Sequence, residues 1–151
     1  MSAIDYAGIR SQIKSILESD SRLEGVSVHV EEEPQFAVSD NAKAIAVFTD
    51  RRTAPPGEQS ISAGKRTRYF LRTLFVVVFF HNESFDAACQ GRDEVLANLE
   101  LVLMENRTLG DKVATSWLEG GAFYSGRSSG ATPFISVAEL ELTSEVSAIT
   151  T

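Results

Sequence analysis

The first apolar pattern along the chain has the period of a helix. Its apolar members are Ile9, Ile13, Ile16 and Leu17. Because they recur three and four positions apart, they share one face of a helix, which is predicted over residues 4–19. Ser2, with Asp5 three residues later, resembles a capping box at the helix start, and Gly25 lies beyond the helix end.

Three apolar runs after this helix predict β-strands. Residues 26–30 alternate apolar and polar side chains, as in a half-buried strand, and residues 43–49 predict a second strand. Residues 65–80 form the longest run, and their second half, 74–80, is apolar at every position. A strand that is apolar on both faces is covered on both, so we expect helices or a partner subunit on each face.

A basic arm is predicted between the second and third strands. Residues 50–64 form a loop that contains the structure breakers Pro55, Pro56 and Gly57. The strand that follows would span about 50 Å at about 3.3 Å per residue, which is more than a small domain needs. We therefore expect residues 50–68 to protrude from the body of the protein.

The rest of the chain predicts one helix and two strands. Ser84 is a candidate N-cap for a helix whose apolar positions extend to Met104. A strand is expected from residue 113 to 118, with a continuation to 124, and another at 134–143. Residues 144–151 are expected to form a flexible tail.

Length and composition fit one α+β domain over residues 1–151. The element order is α-β-β-β-α-β-β, which predicts two helices packed on a mostly antiparallel mixed sheet. Hydrophobic residues make up 43% of the chain and charged residues 23%, which excludes a wholly disordered protein. The single cysteine, Cys89, excludes an intrachain disulfide. No apolar run approaches the roughly 20 residues of a membrane helix, and no secretion signal is recognised.

Charge is distributed unevenly along the chain. The net charge is −7, yet residues 42–82 carry seven basic and two acidic side chains. An acidic chain is repelled by duplex DNA, so non-specific DNA binding is not expected. A basic stretch inside an acidic chain indicates either contact with an acidic partner surface or a solvated loop.

The sequence contains no clear catalytic or metal-binding motif. Residues 63–67 resemble a phosphate-binding loop only in part, because Gly57 lies two positions too far upstream and a strand follows instead of a helix. His29 and His81 have no second His or Cys at metal-ligand spacing, and Cys89 is expected to act as a small hydrophobic residue. We expect no enzyme activity, cofactor or metal, although a triad assembled from distant residues stays open.

The layout resembles the tail terminator, or tail-completion, proteins of tailed bacteriophages. The resemblance lies in the N-terminal amphipathic helix, the two strands, the basic loop and the long strand that runs into Phe75-Val76-Val77-Val78-Phe79. It continues through the single helix and the closing strand pair, whose last member contains Phe134-Ile135-Ser136-Val137-Ala138-Glu139-Leu140. The resemblance covers nearly the whole chain. It is a resemblance of size, element order and hydrophobic pattern, not of an invariant motif.

The resemblance implies a structural role at the tail–neck junction of a virion. Terminators form hexameric rings that cap the tail tube, end its polymerisation and present a surface to the neck or connector protein of the head. Genome DNA passes through such a ring without specific binding, and the family has no catalytic residues. Docking to the tube or neck is expected of Arg51, Arg52, Lys65, Arg66, Arg68 and Arg72. Packing between subunits is expected of Val76, Val78, Phe80, Leu101 and Met104.

Two other functions stay open from the sequence. A phage neck or head–tail connector protein has a similar size and pattern. A small α+β hydrolase or ligand-binding domain belongs to a different class, and it would be expected to remain a monomer with a cleft of converging polar groups.

Overall fold

The computed structural model describes residues 3–32, 42–54, 66–81, 84–127 and 134–149. Its helices are α1 (Tyr6–Ser19) and α2 (Phe85–Glu105), with a short 3₁₀ turn at Ser21–Leu23. Its strands are β1 (Ser27–Val30), β2 (Lys43–Thr53), β3 (Arg66–His81), β4 (Thr115–Arg127) and β5 (Phe134–Ile149). This order confirms the predicted sequence of two helices and five strands.

The five strands form one mixed sheet in the order β1-β2-β3-β5-β4. Only β1 and β2 are parallel, and every other neighbouring pair is antiparallel. The long strand β3 lies at the centre and pairs with β5 over its whole length, from Arg66 opposite Ile149 to His81 opposite Phe134. The protein is therefore an α+β domain with a mostly antiparallel sheet, as the sequence predicts.

Both helices begin at a side-chain cap. The Asp5 carboxylate accepts a hydrogen bond from the Gly8 backbone N–H at 2.9 Å, so α1 begins after Asp5 and not at the predicted Ser2 box. The Ser84 hydroxyl accepts from the Ala87 N–H at 3.1 Å, which confirms Ser84 as the N-cap of α2. Each cap satisfies an N–H that the first helical turn leaves without a partner.

The helices pack on one face of the sheet, and the core lies between them. On β3 the buried apolar residues are Leu71, Phe75, Val77 and Phe79. α2 contributes Leu99 and Val102 to this core, and α1 contributes Ile13. The alternate residues of β3 point to the other face and are only half-buried. We call this second face, on which no described helix packs, the open face.

The predicted arm and tail are partly wrong. β2 continues to Thr53 and β3 begins at Arg66, so residues 50–53 and 66–68 are strand and not loop; residues 55–65 lie outside the described part of the chain. Residues 144–149 are also strand and not a flexible tail, because they continue β5 and pair with β3. The buried side chains of Ser144 and Val146 tie this segment to the core.

Candidate interaction surfaces

The open face is apolar where β3 and β5 meet. Val76, Val78 and Phe80 lie on it, half-buried, and Val78 pairs with Val137 across to β5. These three residues were predicted to pack against another subunit. Apolar residues on a sheet face that no described element covers are typical of a protein–protein contact.

Leu101 and Met104, the other two predicted packing residues, lie on a different surface. They project from the outer side of α2, where they are 46% and 59% exposed. Since α2 covers the opposite face of the sheet, the structure does not bring them together with Val76, Val78 and Phe80. The chain thus presents two separate apolar surfaces.

The basic residues of β3 are paired with carboxylates of β5. Arg68 Nη1 lies 3.0 Å from Glu145 Oε1, and Arg72 Nη1 lies 3.7 Å from Glu141 Oε2. Arg68 lies directly opposite Ser147, two residues from Glu145 on the same face, and Arg72 lies opposite Thr143, two residues from Glu141. These partners were not predicted from the sequence, although Glu141 and Glu145 have the same four-residue spacing as Arg68 and Arg72.

Arg52 joins the start of α1 to the sheet. Its Nη1 donates a hydrogen bond to the Tyr6 hydroxyl at 2.6 Å, and its guanidinium lies 4.4 Å from the centroid of the Tyr69 ring. The hydrogen bond to Tyr6 raises the pKa of Arg52 above its ordinary value, so the residue is a fixed cation. Its contacts are therefore mainly structural.

Arg51 has a different environment. It is exposed, and it lies directly opposite Arg72 on the open face. Within the described residues no carboxylate forms an ion pair with it. Lys65 and the side chain of Arg66 lie outside the described part of the chain.

A groove runs between α2 and the edge strand β4. One part, with a volume of about 330 Å³, is lined chiefly by Leu103, Met104, Trp117 and Leu118. A second part, of about 310 Å³, shares Leu118 and is lined by Leu96 and Glu100 of α2 and by Phe123, beside Gly120 and Gly121. The groove exists because α2 lies over β3 and β5 and leaves the face of β4 uncovered. This groove was not predicted from the sequence.

The histidines and the cysteine have structural surroundings. His81 Nδ1 accepts a hydrogen bond from the Ser84 backbone N–H at 3.1 Å, at the start of α2. His29 Nδ1 lies 3.4 Å from Glu32 Oε1. Cys89 is half-buried on α2, with its sulfur 3.9 Å from the Ser136 hydroxyl. Within the described ranges, no three His, Cys, Asp or Glu side chains converge as a metal site would require.

No helix in the described part of the chain is long and apolar enough to cross a membrane.

Comparison with solved structures shows a weak structural likeness to a phage-like particle. No protein-family model and no curated protein matches the sequence. A chain from the virion of a native gene transfer agent particle is similar at 13% sequence identity and a TM-score of 0.41, with 97% of this chain and 100% of that chain covered. A likeness at this level does not establish a function.

Proposed function

We propose that this chain is a structural protein of a tailed-phage virion. In this role it forms a ring, six copies by analogy with the terminators it resembles, at the head-proximal end of the tail tube. The ring ends tube polymerisation and joins the tail to the head or neck. No bond-making chemistry is part of the proposal.

The apolar open face carries this proposal. Val76 and Val78 of the central strand are only half-buried, on a face where no helix of the described chain packs, so this apolar surface is available to another chain. Burying such surface against another chain is favourable by about 25 cal/mol for each Å². The exposed Leu101 and Met104 add a second surface of the same kind. Two different apolar surfaces on one chain suit a ring, in which each copy uses both.

The contact with the tube is assigned to the basic end of the sheet, where Arg68 and Arg72 lie. Both arginines keep a carboxylate of their own chain, with side chains 34% and 26% exposed. Ion pairs at this level of exposure contribute about 0–1 kcal/mol, so an acidic partner surface can take the place of the intrachain carboxylate. Lys65 and Arg66, adjacent in sequence, would add to this positive charge.

The acidic remainder of the chain suits a channel for DNA. Outside residues 42–82 the acidic side chains outnumber the basic ones, and the whole chain carries a net charge of −7. Phosphates are repelled by such a surface, and binding through released counterions does not occur. Genome DNA would therefore pass the ring without being held.

A tube-growth assay tests the proposal. Purified tail-tube protein is polymerised with and without this chain, and tube lengths are measured by electron microscopy. We expect growth to stop in the presence of this chain, with one ring at a tube end, whereas a neck connector would bind without stopping growth. Tubes of unchanged length would contradict the terminator role.

Charge reversal tests the docking surface in the same assay. Arg66→Glu with Arg68→Glu should abolish capping. The matched control, Lys14→Glu with Lys43→Glu, makes the same change in net charge away from this end of the sheet: Lys14 is exposed on α1, and Lys43 lies opposite Phe79 at the other end of β3. Normal capping by the Arg66/Arg68 variant would exclude these residues from the tube contact.

A ligand-binding domain is the second candidate, favoured by the groove of about 330 Å³ beside Trp117 and Leu118. Its lining is mostly apolar, with Arg107 as the charged residue. Such a lining suits an amphipathic anion with an apolar chain. A protein that stays monomeric with tube protein and binds a fluorescent fatty acid in this groove would favour this alternative.

A further inference from the structure

Exposed apolar side chains gather at one edge of the molecule. Among the described residues, the large hydrophobic side chains that are exposed are Phe85 (48%), Leu101 (46%), Met104 (59%), Phe123 (62%) and Tyr124 (55%). All except Phe85 lie on β4 or on the half of α2 beside it. The edge formed by α2 and β4 therefore carries most of the large exposed apolar side chains of the described surface, as a protein–protein contact would.

The strand at this edge is open to another strand. β4 is 13 residues long, and in the described sheet only β5 pairs with it. At Gly120 a side-chain carbon would have no atom within 4 Å, so a second backbone can come close. A long edge strand with unpaired N–H and C=O groups is a template for further pairing.

The β4 strand also carries one carboxylate near its middle. Its charged residues are Glu119 and, at its last position, Arg127. Glu119 is exposed at the β-bulge of β4 and accepts a hydrogen bond from Trp117 Nε1 at 2.6 Å. Because Trp117 lies opposite Thr143, which is on the open face, the carboxylate of Glu119 lies on the open-face side.

The other side of the sheet presents a short edge whose residues 50–53 include two arginines and Asp50. β1 pairs with β2 only as far as Val47, and the Glu31 carboxylate then accepts from the Thr49 N–H at 2.6 Å. Beyond that point, residues 50–53 of β2 have an outer edge with which no described strand pairs. Arg51 lies in this stretch, on the open-face side, without a carboxylate partner in the described chain.

We propose that these two edges join in neighbouring copies, with the outer edge of β4 pairing with residues 50–53 of β2 in the next copy. Arg51 of one copy then contacts Glu119 of its neighbour. This inference rests on the proposed ring and adds a contact between sheet edges to the apolar contacts proposed above.

The geometry favours a contact between copies. β3 and β5 lie between β2 and β4, which are therefore three strand spacings apart, about 14 Å at about 4.8 Å per spacing. The outer edges of β2 and β4 thus cannot meet within one chain. Arg51 and Glu119 share the open-face side, so they remain on one side of a sheet that continues from copy to copy. The two edges differ, which makes the contact head to tail, and a head-to-tail contact closes into a ring when its rotation permits.

A charge exchange tests this contact. Arg51→Glu and Glu119→Arg are made singly and together, and assembly of each full-length variant is followed by mass photometry, alone and with tube protein. Each single reversal should raise the concentration for half-assembly about tenfold. The combined variant should return to within about threefold of the unmodified chain, because it restores an opposite-charge pair. Thermal unfolding by circular dichroism verifies that every variant is folded.

Matched controls make the result specific. Lys14→Glu and Glu18→Lys change net charge equally on the exposed side of α1 and should leave assembly unchanged. If the unmodified chain forms rings but the single reversals behave like these controls, or the combined variant is not rescued, the Arg51–Glu119 contact is wrong and the ring stands. If the unmodified chain forms no ring even with tube protein, the ring itself is wrong.

Discussion

Arg51 lies directly opposite Arg72 across the β2–β3 pair, so two positive charges face each other on the open face. Like charges placed opposite each other in a sheet are destabilising by a few tenths of a kcal/mol up to about 1 kcal/mol. Glu141, 3.7 Å from Arg72, compensates only one of the two. Arg51 therefore lowers the stability of the single chain. We expect such a residue where a partner chain supplies a carboxylate to pair with it.

Replacing Arg51 should therefore separate stability from assembly. We expect Arg51→Gln to leave the free energy of unfolding of the monomer unchanged or to raise it by about 0.5 kcal/mol, because a repulsion is removed. Arg52→Gln is the matched control and should lower it, because Arg52 holds Tyr6 and Tyr69. Urea unfolding measures both values. A loss of stability in Arg51→Gln as large as in the control would contradict this interpretation.

The two faces of β3 should respond differently to the same chemical change. Val77→Thr places a hydroxyl in the buried core and should cost about 1–3 kcal/mol of unfolding free energy. Val76→Thr with Val78→Thr, on the open face, should cost less than about 1 kcal/mol in the monomer but weaken ring assembly. Chemical denaturation and mass photometry measure the two effects. Equal stability losses on both faces would show that the open face is packed within the chain.

The exposed apolar residues of α2 should matter for assembly and not for folding. Leu101→Ser with Met104→Ser changes side chains that are 46% and 59% exposed, so the stability of the monomer should shift by about 0.5 kcal/mol or less. Leu103→Ser, one position away and 2% exposed, should lower it by at least about 2 kcal/mol. Analytical ultracentrifugation follows assembly. Unimpaired assembly of the Leu101/Met104 variant would remove these residues from the interface.

Acid should weaken the link between the 3₁₀ turn and the end of α2. Arg22 lies 2.8 Å from Asp20 and also donates to Glu105 at 3.0 Å. The side-chain and backbone hydrogen bonds from Arg22 lower the pKa of Asp20 from 3.8 to about 2. A lowered pKa in the folded state means that the carboxylate stabilises the fold above pH 4, and that this contribution is lost as the pH falls from about 4 to 2.

Asp20→Asn tests this pH dependence. The variant should unfold more easily than the unmodified chain at pH 6, by roughly 1 kcal/mol, because it loses a charge-assisted hydrogen bond. The difference should shrink between pH 4 and pH 2 as Asp20 takes up a proton. Thermal unfolding over that range measures it, and a difference that is constant with pH would contradict the assigned role of Arg22.

Local patterns were enough to predict most elements. The spacing of Ile9, Ile13 and Leu17 gave the buried face of α1, and Ser84 marked the start of α2. The strict alternation of β3, with Val77 buried and Val76 and Val78 half-buried, follows from the period of a strand. These features depend on neighbours in sequence, which is why the sequence predicts them.

The features that were missed depend on residues far apart in sequence. Residues 144–149, at the end of the sequence, were predicted to form a tail, yet they form strand because β3 extends far enough to pair with them. Glu145 is a partner of Arg68, and the register of β3 and β5 brings their side chains to 3.0 Å. The groove beside β4 arises from the position of α2 over two neighbouring strands, which no local pattern encodes.

The most direct measurement is the mass of the particle that this chain forms. Mass photometry of the purified protein is made before and after addition of tail-tube protein, and ring-sized particles are imaged by electron microscopy. A closed ring of six copies, formed alone or at the tube end, is the predicted result. A chain that remains a 16.5 kDa monomer in the presence of growing tubes would contradict the account.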